Sequence, residues 1–336
     1  MRKLIFFVVF LFVIGILSVA AFVVNEARTF MSTPPETPGR DVTVIIEPGM
    51  TFDQIAAMLK EEGIITNAQY FRFLGKWEEK LSALQAGEFT LNTGWTPDKV
   101  LDYLVEGQPT LYRLSIREGL TWWETARVVE ESGQAGYEEF VEAIFDPELL
   151  EKYNIPSDSP EGFLFPETYL LPRPGEKDAR FIAELLFQSF WDHAEEVWPE
   201  GPPDSDEIWR IVILASLVEK ETGAADERAR IAGVYAKRME IGMLLQCDPT
   251  IIYGLGEEFD GNIRRRDLEN PDNPYNTYVH GGLPPGPICS SGLDALRAAV
   301  DPEEHDYLYF VSRGDGTHQF STNLRDHNNA VNQYQR

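Results

Sequence analysis

The chain has 336 residues, of which 43% are hydrophobic and 12% aromatic, so it is long enough to bury a substantial core and is neither disordered nor collagen-like. Acidic residues outnumber basic ones by 55 to 29, which gives a formal net charge of -26. A field of that sign repels phosphate backbones, so nucleic acid is excluded as an expected partner.

The first predicted element is an uncharged, almost wholly apolar run over residues 4–24. As a helix its 21 residues would extend roughly 31 Å, the thickness of a bilayer's hydrocarbon core. Arg2 and Lys3 precede the run, so the positive-inside rule places residues 1–3 in the cytoplasm and the body of the protein outside it. A cleaved signal peptide is the alternative, because residues 18–20 offer a small-x-small cleavage site. The length of the run favours a retained, single-pass anchor in the plasma membrane.

The segment after the anchor, residues 25–40, is rich in turn formers and predicts an extended linker. Residues 42–46 then predict a strand, and the helix at 51–62 begins with Thr51 as its N-cap. A similar strand-turn-helix pattern recurs over 112–133. We interpret the two as copies of one unit that share a small sheet, although ordinary capping chemistry would also produce the similarity.

A loop at 161–169 separates two further helical stretches, predicted at 137–153 and 178–198. Carboxylates and aromatic rings alternate in this loop, and that mixture suits sugars, whose apolar faces pack on rings while their hydroxyls bond to carboxylates. Phe163 and Phe165 would equally suit a buried core. The loop alone therefore leaves both interpretations open.

Residues 204–223 predict a helix with an Asp N-cap, a Gly terminator and apolar side chains on all faces. A helix of that kind is buried, so the side chains at its end are presented from the interior. Its last turn carries Glu219 and Glu221, where the helix dipole and partial desolvation would raise a carboxyl pKa, as a general acid requires. The alternative is a solvated charge cluster in which Lys220 offsets the two glutamates.

A helix is predicted next over 225–240, followed by polar segments at 245–254 and 275–278 and a stiff Pro/Gly stretch at 281–287. Such loops hold amide and hydroxyl groups on a defined backbone. They fit an active-site wall, and they also fit an ordinary surface turn.

Five runs of sequence, taken in order, resemble the signatures of the MltG, or YceG-like, family of endolytic murein transglycosylases. These runs are 161–169, ASLVEKET at 215–222, QCDPT at 246–250, YNTY at 275–278 and GLPPGPI at 282–288. The resemblance covers nearly everything from Asp41 onward and the anchor before it. It implies an α+β fold, with a LysM-like module of short strands and helices over 41–110 and a mixed α/β catalytic domain over 111–336.

By this resemblance, Glu219 falls on the family's catalytic glutamate. The positions that fall on residues lining the substrate cleft are Glu161, Gln246, Asp248, Tyr275, Asn276 and Tyr278. Cys247 and Cys289 depart from the family pattern, since a small residue is expected at each position. The two cysteines predict either one disulfide or two buried free thiols, and sequence does not choose between them.

The activity implied is cleavage of the MurNAc-GlcNAc β-1,4 bond inside nascent glycan strands without water, which gives 1,6-anhydro ends and terminates elongation. Penicillin-binding synthases are the implied partners beside the peptidoglycan strand itself. One alternative is a hydrolase of the same strands, with Glu221 or Asp248 as the second carboxylate. Another is a non-catalytic scaffold that binds peptidoglycan.

Metal and nucleophile chemistry find little support, and no cofactor is expected. The five histidines have no H-x-x-x-H or H-E-x-x-H spacing, and no Gly-x-Ser-x-Gly elbow occurs. His318 is predicted on the second strand of a hairpin, where it would make a structural hydrogen bond or reach substrate.

Overall fold

The computed structural model describes residues 2–335. Met1, the first residue of the predicted cytoplasmic segment, and Arg336, the last of the predicted catalytic domain, lie outside the described residues. The described chain contains both helices and short strands, which confirms the expected mixture of α and β structure.

The chain divides into two compact units, and unit 1 contains the residues up to Tyr112 together with Leu171–Arg173. Its elements are α1 (Arg2–Ser32), β1 (Asp41–Ile46), α2 (Phe52–Glu61), α3 (Ala68–Trp77), β2 (Gly87–Asn92) and α4 (Pro97–Glu106). The strands β1 and β2 pair antiparallel, from Asp41 opposite Asn92 to Ile46 opposite Gly87. Alternate residues of both strands face the helices and form one buried core.

Helix α1 holds the predicted anchor and continues beyond it. One segment of it, Phe10–Ser32, is long and apolar enough to cross a membrane. The prediction of an extended linker from residue 25 is wrong over 25–32, because the helix ends only at Ser32. Phe30 supplies the physical reason: it is buried in the core of unit 1, with its ring centroid 5.6 Å from that of Tyr70. Residues 33–40 have no helix or strand.

Unit 2 contains Arg113–Leu170 and the residues from Pro174 onward. The elements from residue 112 on are β3 (Tyr112–Ser115), α5 (Trp122–Glu131), α6 (Tyr137–Ile144), α7 (Pro147–Lys152), β4 (Thr168–Leu171), α8 (Ala179–Val197), α9 (Ser205–Glu221), α10 (Arg228–Glu240), α11 (Asp248–Leu255), α12 (Arg265–Leu268), α13 (Leu293–Val300), β5 (Tyr309–Ser312), β6 (His318–Ser321) and α14 (Leu324–Tyr334). Helix α9 packs against α10, α11 and α13 and forms the centre of the unit.

The two similar strand-turn-helix patterns form as predicted. Thr51 and Thr121 each close a capping box, with Gln54 and Glu124 returning a hydrogen bond to the cap backbone. The predicted shared sheet is wrong, however, because β1 pairs with β2 while β3 pairs with β4. Each copy satisfies its backbone hydrogen bonds with a later strand of its own, and the similarity in sequence therefore reflects local structure.

Several local predictions in unit 2 are confirmed. Asp204 caps α9 by accepting a hydrogen bond from the Glu207 N–H, and α9 is buried without interruption from Val212 to Val218. Strands β5 and β6 form the hairpin expected around His318. Phe163 and Phe165 are buried, so the aromatic residues of that loop belong to the core.

Candidate active site

Glu219 lies in the last turn of α9, at the end of a run of buried side chains from Val212 to Val218. Its own side chain is 7% exposed. Its carboxylate Oε2 accepts a hydrogen bond from the Gly292 N–H at 3.1 Å, just before α13 begins. The helix thus delivers the carboxyl to a largely dry position with one backbone donor.

Charged groups surround this carboxyl on several sides. The Arg228 guanidinium, at the start of α10, lies 3.9 Å from Glu219 Oε1. Glu118, in the turn before α5, faces the same guanidinium at 3.8 Å. Lys220 turns away and donates a hydrogen bond to the Gly119 carbonyl.

The pKa of Glu219 is raised, and burial is the largest cause. The negative charge of Glu118 raises it further, while the Gly292 N–H, Arg228 and Lys220 favour the charged form. A carboxyl in this balance holds its proton at a higher pH than a solvated glutamate. It therefore has the property that a general acid needs.

Two glycines make the close approach around Glu219 geometrically feasible. Gly119 has a φ of +78°, a left-handed conformation that side chains disfavour. A Cβ on Gly292 would lie 1.9 Å from Glu118 Oε1, so any side chain there would require the Glu118 side chain to move. Sequence reasoning assigned Gly119 to a turn and did not identify Gly292.

Glu221 lies two residues beyond Glu219 and points about 200° away around the helix. Its carboxylate accepts hydrogen bonds from the Tyr235 hydroxyl at 2.7 Å and from the Cys247 thiol at 3.2 Å. Burial raises the pKa of Glu221, and these two donors oppose the shift. The two glutamates of the motif therefore occupy different surroundings.

A cavity of about 690 Å³ opens on the Glu221 side of α9. Three of the predicted substrate-binding residues line it, namely Gln246, Asp248 and Tyr278. The Tyr278 hydroxyl donates to Asp248 Oδ1 at 2.5 Å, which orients both side chains. The backbone at Gln246 is left-handed, with a φ of 50°, an uncommon conformation for a residue with a side chain. The cavity is polar and large enough for a sugar unit.

Two other predicted residues, Glu161 and Tyr275, lie in a separate buried cluster around Tyr253. Glu161 is 1% exposed, accepts a hydrogen bond from the Trp122 N–H at 3.2 Å, and lies beside the Tyr253 hydroxyl. Burial raises the pKa of Glu161 to about 8, so it is mostly protonated at neutral pH. The rings of Tyr253 and Tyr275 lie 4.7 Å apart.

Asn276 is completely buried, which differs from the expectation that it lines the cleft. Its side-chain amide donates to the carbonyls of Asp267, Leu268 and Asn270, and its oxygen accepts from the Tyr278 N–H. With these partners the side chain holds its own loop together. In this conformation it fixes the backbone of Tyr278, one of the residues that line the cavity.

Cys247 and Cys289 are free and buried, which resolves the choice that the sequence left open. Cys247 donates to Glu221, and the Cys289 thiol lies 3.5 Å from the Ser216 carbonyl. Burial raises the pKa of both thiols well above the usual value. Buried, protonated thiols are inert, so both cysteines serve packing.

His318 makes the structural hydrogen bond that was one of its two expected roles. Its Nδ1 lies 2.7 Å from Glu227 Oε2, and its backbone N–H donates to Glu227 Oε1 at 3.0 Å. The pair joins the β5–β6 hairpin to the start of α10. Within residues 2–335, His, Cys, Asp and Glu side chains form no group of three or more able to hold a metal ion.

The structure thus distributes the predicted residues over three neighbourhoods: Glu219 with Gly292, the cavity beside Glu221, and the buried cluster around Tyr253 that contains Glu161. Sequence reasoning missed Arg228 and Glu118 as neighbours of Glu219. Glu118 had a usable signal, because it precedes the glycine of a recognised turn. Arg228 had none, because a single arginine at the start of a helix is common.

Comparison with known proteins assigns the family. The model of the YceG-like family matches residues 44–333, and the chain therefore belongs to that family. The crystal structure of a YceG-like protein from Listeria monocytogenes has the same fold, with a TM-score of 0.57 and 29% identity over 86% of this chain and 98% of that one.

The relatives of this chain include proteins that carry the name endolytic murein transglycosylase. The protein from Bacillus subtilis strain 168 is 29% identical over an alignment of 308 positions, which covers 87% of this chain and 84% of the relative. The protein from Streptococcus pneumoniae strain D39 is 28% identical over an alignment of 324 positions, which covers 86% of this chain. The match spans 58% of the length of that relative.

Proposed function

We propose that this chain is a membrane-anchored lytic transglycosylase of peptidoglycan that uses Glu219 as its acid and base. The observation that carries the proposal is the Glu219 carboxyl, buried to 7% exposure at the end of α9 with a raised pKa and one backbone donor. The names of the relatives supply the substrate class and the reaction class.

In the proposed reaction, Glu219 donates its proton to the oxygen that leaves the anomeric carbon of the muramic acid. The C6 hydroxyl of the same sugar attacks that carbon and returns its proton to Glu219. The C1–O4 bond breaks, the C1–O6 bond forms, and no water is consumed. One carboxyl is sufficient because the nucleophile belongs to the substrate.

The remaining residues take supporting roles in the proposal. Gln246, Asp248 and Tyr278 bind the glycan in the cavity beside Glu221, at a sugar unit away from the bond that Glu219 cleaves, where amide, carboxylate and hydroxyl groups meet sugar hydroxyls. Glu161 and Tyr275 support the cleft from the neighbouring buried cluster, and Asn276 supports it through the loop that it holds. Cleavage occurs at MurNAc-GlcNAc β-1,4 bonds inside nascent strands and ends their elongation.

The proposed topology places residues 1–3 in the cytoplasm and the chain that follows the anchor outside it, with α1 as a single-pass anchor in the plasma membrane. Residues 41–110 act as a LysM-like module that holds peptidoglycan, and residues 111–336 as the catalytic domain. Penicillin-binding synthases, which produce the strand, are the proposed protein partners.

The test is mass spectrometry of purified glycan strands incubated with the full chain in detergent micelles, beside its Glu219→Gln variant. We expect 1,6-anhydro ends from the wild type and at least a 100-fold loss in the variant, because an amide cannot transfer the proton. Glu195→Gln is the matched control, since Glu195 is exposed on α8.

Each other outcome would contradict the proposed function in a different way. Reducing ends would mean a hydrolase with a second carboxylate. Intact strands from both proteins, with binding retained, would mean a non-catalytic scaffold. Unchanged cleavage by Glu219→Gln would remove Glu219 from the mechanism.

A further inference from the structure

Arg228 is a buried arginine that faces three carboxylates. Its side chain is 10% exposed, and Arg228 is the first residue of α10. The guanidinium lies 3.8 Å from Glu118, 3.9 Å from Glu219 and 3.7 Å from Asp294. These separations exceed those of direct hydrogen bonds, so the guanidinium acts on all three groups through its charge.

The hydrogen bonding of Arg228 is incomplete. Its buried Nε has no hydrogen-bond partner among the described residues. Burying a guanidinium costs free energy that charge pairing must offset, and here three carboxylates share that task. An arginine in such a position is held for its charge, since packing alone would be served better by an apolar side chain.

Glu118 differs from Glu219 in exposure, although both face the same guanidinium. Its side chain is 51% exposed, against 7% for Glu219. Its Oε1 lies against Gly292, and the N–H of that glycine donates to Glu219. The two carboxylates therefore flank one glycine, with the exposed one on the solvent side.

We propose that Glu118 and Arg228 are positioning residues for the Glu219 carboxyl: Glu118 keeps it protonated until it acts, and Arg228 holds it in place and stabilises the carboxylate that follows. This inference rests on the proposed function, in which Glu219 transfers the proton. Glu118 opposes early loss of the proton by repulsion. Arg228 stabilises the carboxylate that exists after the proton has gone to the leaving oxygen and before the C6 hydroxyl replaces it.

The other charged and titratable groups near Glu219 are compatible with these two roles. The pKa of Glu219 is raised by burial and by Glu118, and Arg228 and Lys220 lower it. Asp294, at the start of α13, faces Arg228 and partly offsets its charge. The buried Cys289 thiol interacts with Glu219 but stays neutral, because burial raises its own pKa. On α11, Asp248 acts on Glu221.

The test follows the Glu219 proton directly in the full chain. The carboxyl stretch of Glu219 is identified by infrared difference spectroscopy as the band absent from Glu219→Gln, and is titrated in each variant. We expect Glu118→Gln to lower the titration midpoint of Glu219 by about one pH unit, because it removes a repulsive charge. Arg228→Gln should move it up by a similar amount, and Arg228→Lys should restore most of the wild-type value.

The alkaline limb of the kcat profile should move with each titration, while KM changes little. Glu195→Gln, which changes an exposed glutamate on α8, should leave both unchanged. Identical titrations in wild type, Glu118→Gln and Arg228→Gln would overturn the inference, even if Glu219→Gln is inactive. If the titration of Glu219 shifts as expected in the two variants but the wild type makes no anhydro ends, the positioning roles are retained and the proposed function is refuted.

Discussion

At the scale of single residues, the buried carboxyls are the groups most sensitive to pH. Glu161 has a folded-state pKa of about 8 against an ordinary value of 4.5. Its contribution to stability is therefore complete below pH 4.5. It is lost as the pH rises through the window from 4.5 to 8, because the unfolded state releases the proton first.

We predict that Glu161→Gln changes the pH dependence of stability. Relative to the variant, the wild type should lose up to about 1.4 kcal/mol of unfolding free energy per pH unit within that window. Gln keeps an acceptor for the Trp122 N–H and does not titrate. Urea unfolding at several pH values measures the difference, with Glu195→Gln as the control. A constant difference from pH 4.5 to 8 would contradict the prediction.

At the scale of elements, α10 is joined closely to the segment that leads into β5. The Glu303 N–H donates to the Ala229 carbonyl at 2.9 Å, and His305 Nε2 lies 2.8 Å from the Arg230 carbonyl. Arg238 donates to the Leu308 carbonyl at 2.7 Å. Gly233 lies where the two backbones approach most closely: a Cβ there would be 2.1 Å from the Glu303 carbonyl oxygen.

We predict that Gly233→Ala is destabilising although alanine is the better helix former. The propensity gain of about 1 kcal/mol is outweighed by a clash with a backbone atom, so we expect a net loss of about 1–3 kcal/mol. Gly281→Ala is the matched control, since a Cβ at Gly281 meets nothing within 4 Å. Thermal unfolding of the three proteins measures the effect. Equal losses in both variants would show that the contact is unimportant.

At the scale of the whole molecule, the apolar helix α1 and the core of unit 1 are structurally continuous. Phe30 is on α1 and also in the core of unit 1, where it is 7% exposed. A chain that starts at residue 41 lacks this side chain, whereas one that starts at residue 26 retains it. Cutting at the apparent linker would therefore remove part of a core.

We predict that the 26–336 chain is more stable than the 41–336 chain by about 2–3 kcal/mol, the value of burying one large aromatic side chain. Phe30→Ala in the longer chain should remove most of the difference. Thr29→Ala, at an exposed neighbouring position, should not. Urea denaturation followed by circular dichroism measures all four proteins. Equal stability of the two starting chains would show that α1 does not stabilise unit 1.

Local features were predictable wherever a short stretch of chain supplies the whole cause. The caps at Thr51, Thr121 and Asp204 follow from side chains that bond to backbone within the same turn, and the structure confirms all three. The apolar run of the anchor and the burial of α9 follow from composition and period. The ordered motifs were sufficient to recognise the family.

The tertiary structure decided what depends on residues distant in sequence. It paired β1 with β2 where a shared sheet was expected, it placed Glu219 and Glu221 in different surroundings, and it brought Glu118 and Arg228 together from positions 110 residues apart. Sequence by itself determined the apolar N-terminal run, the capped helices, the family and the candidate glutamate. Which charges surround that glutamate was decided only by folding, because burial and electrostatic pairing depend on three-dimensional distance and a linear pattern does not encode it.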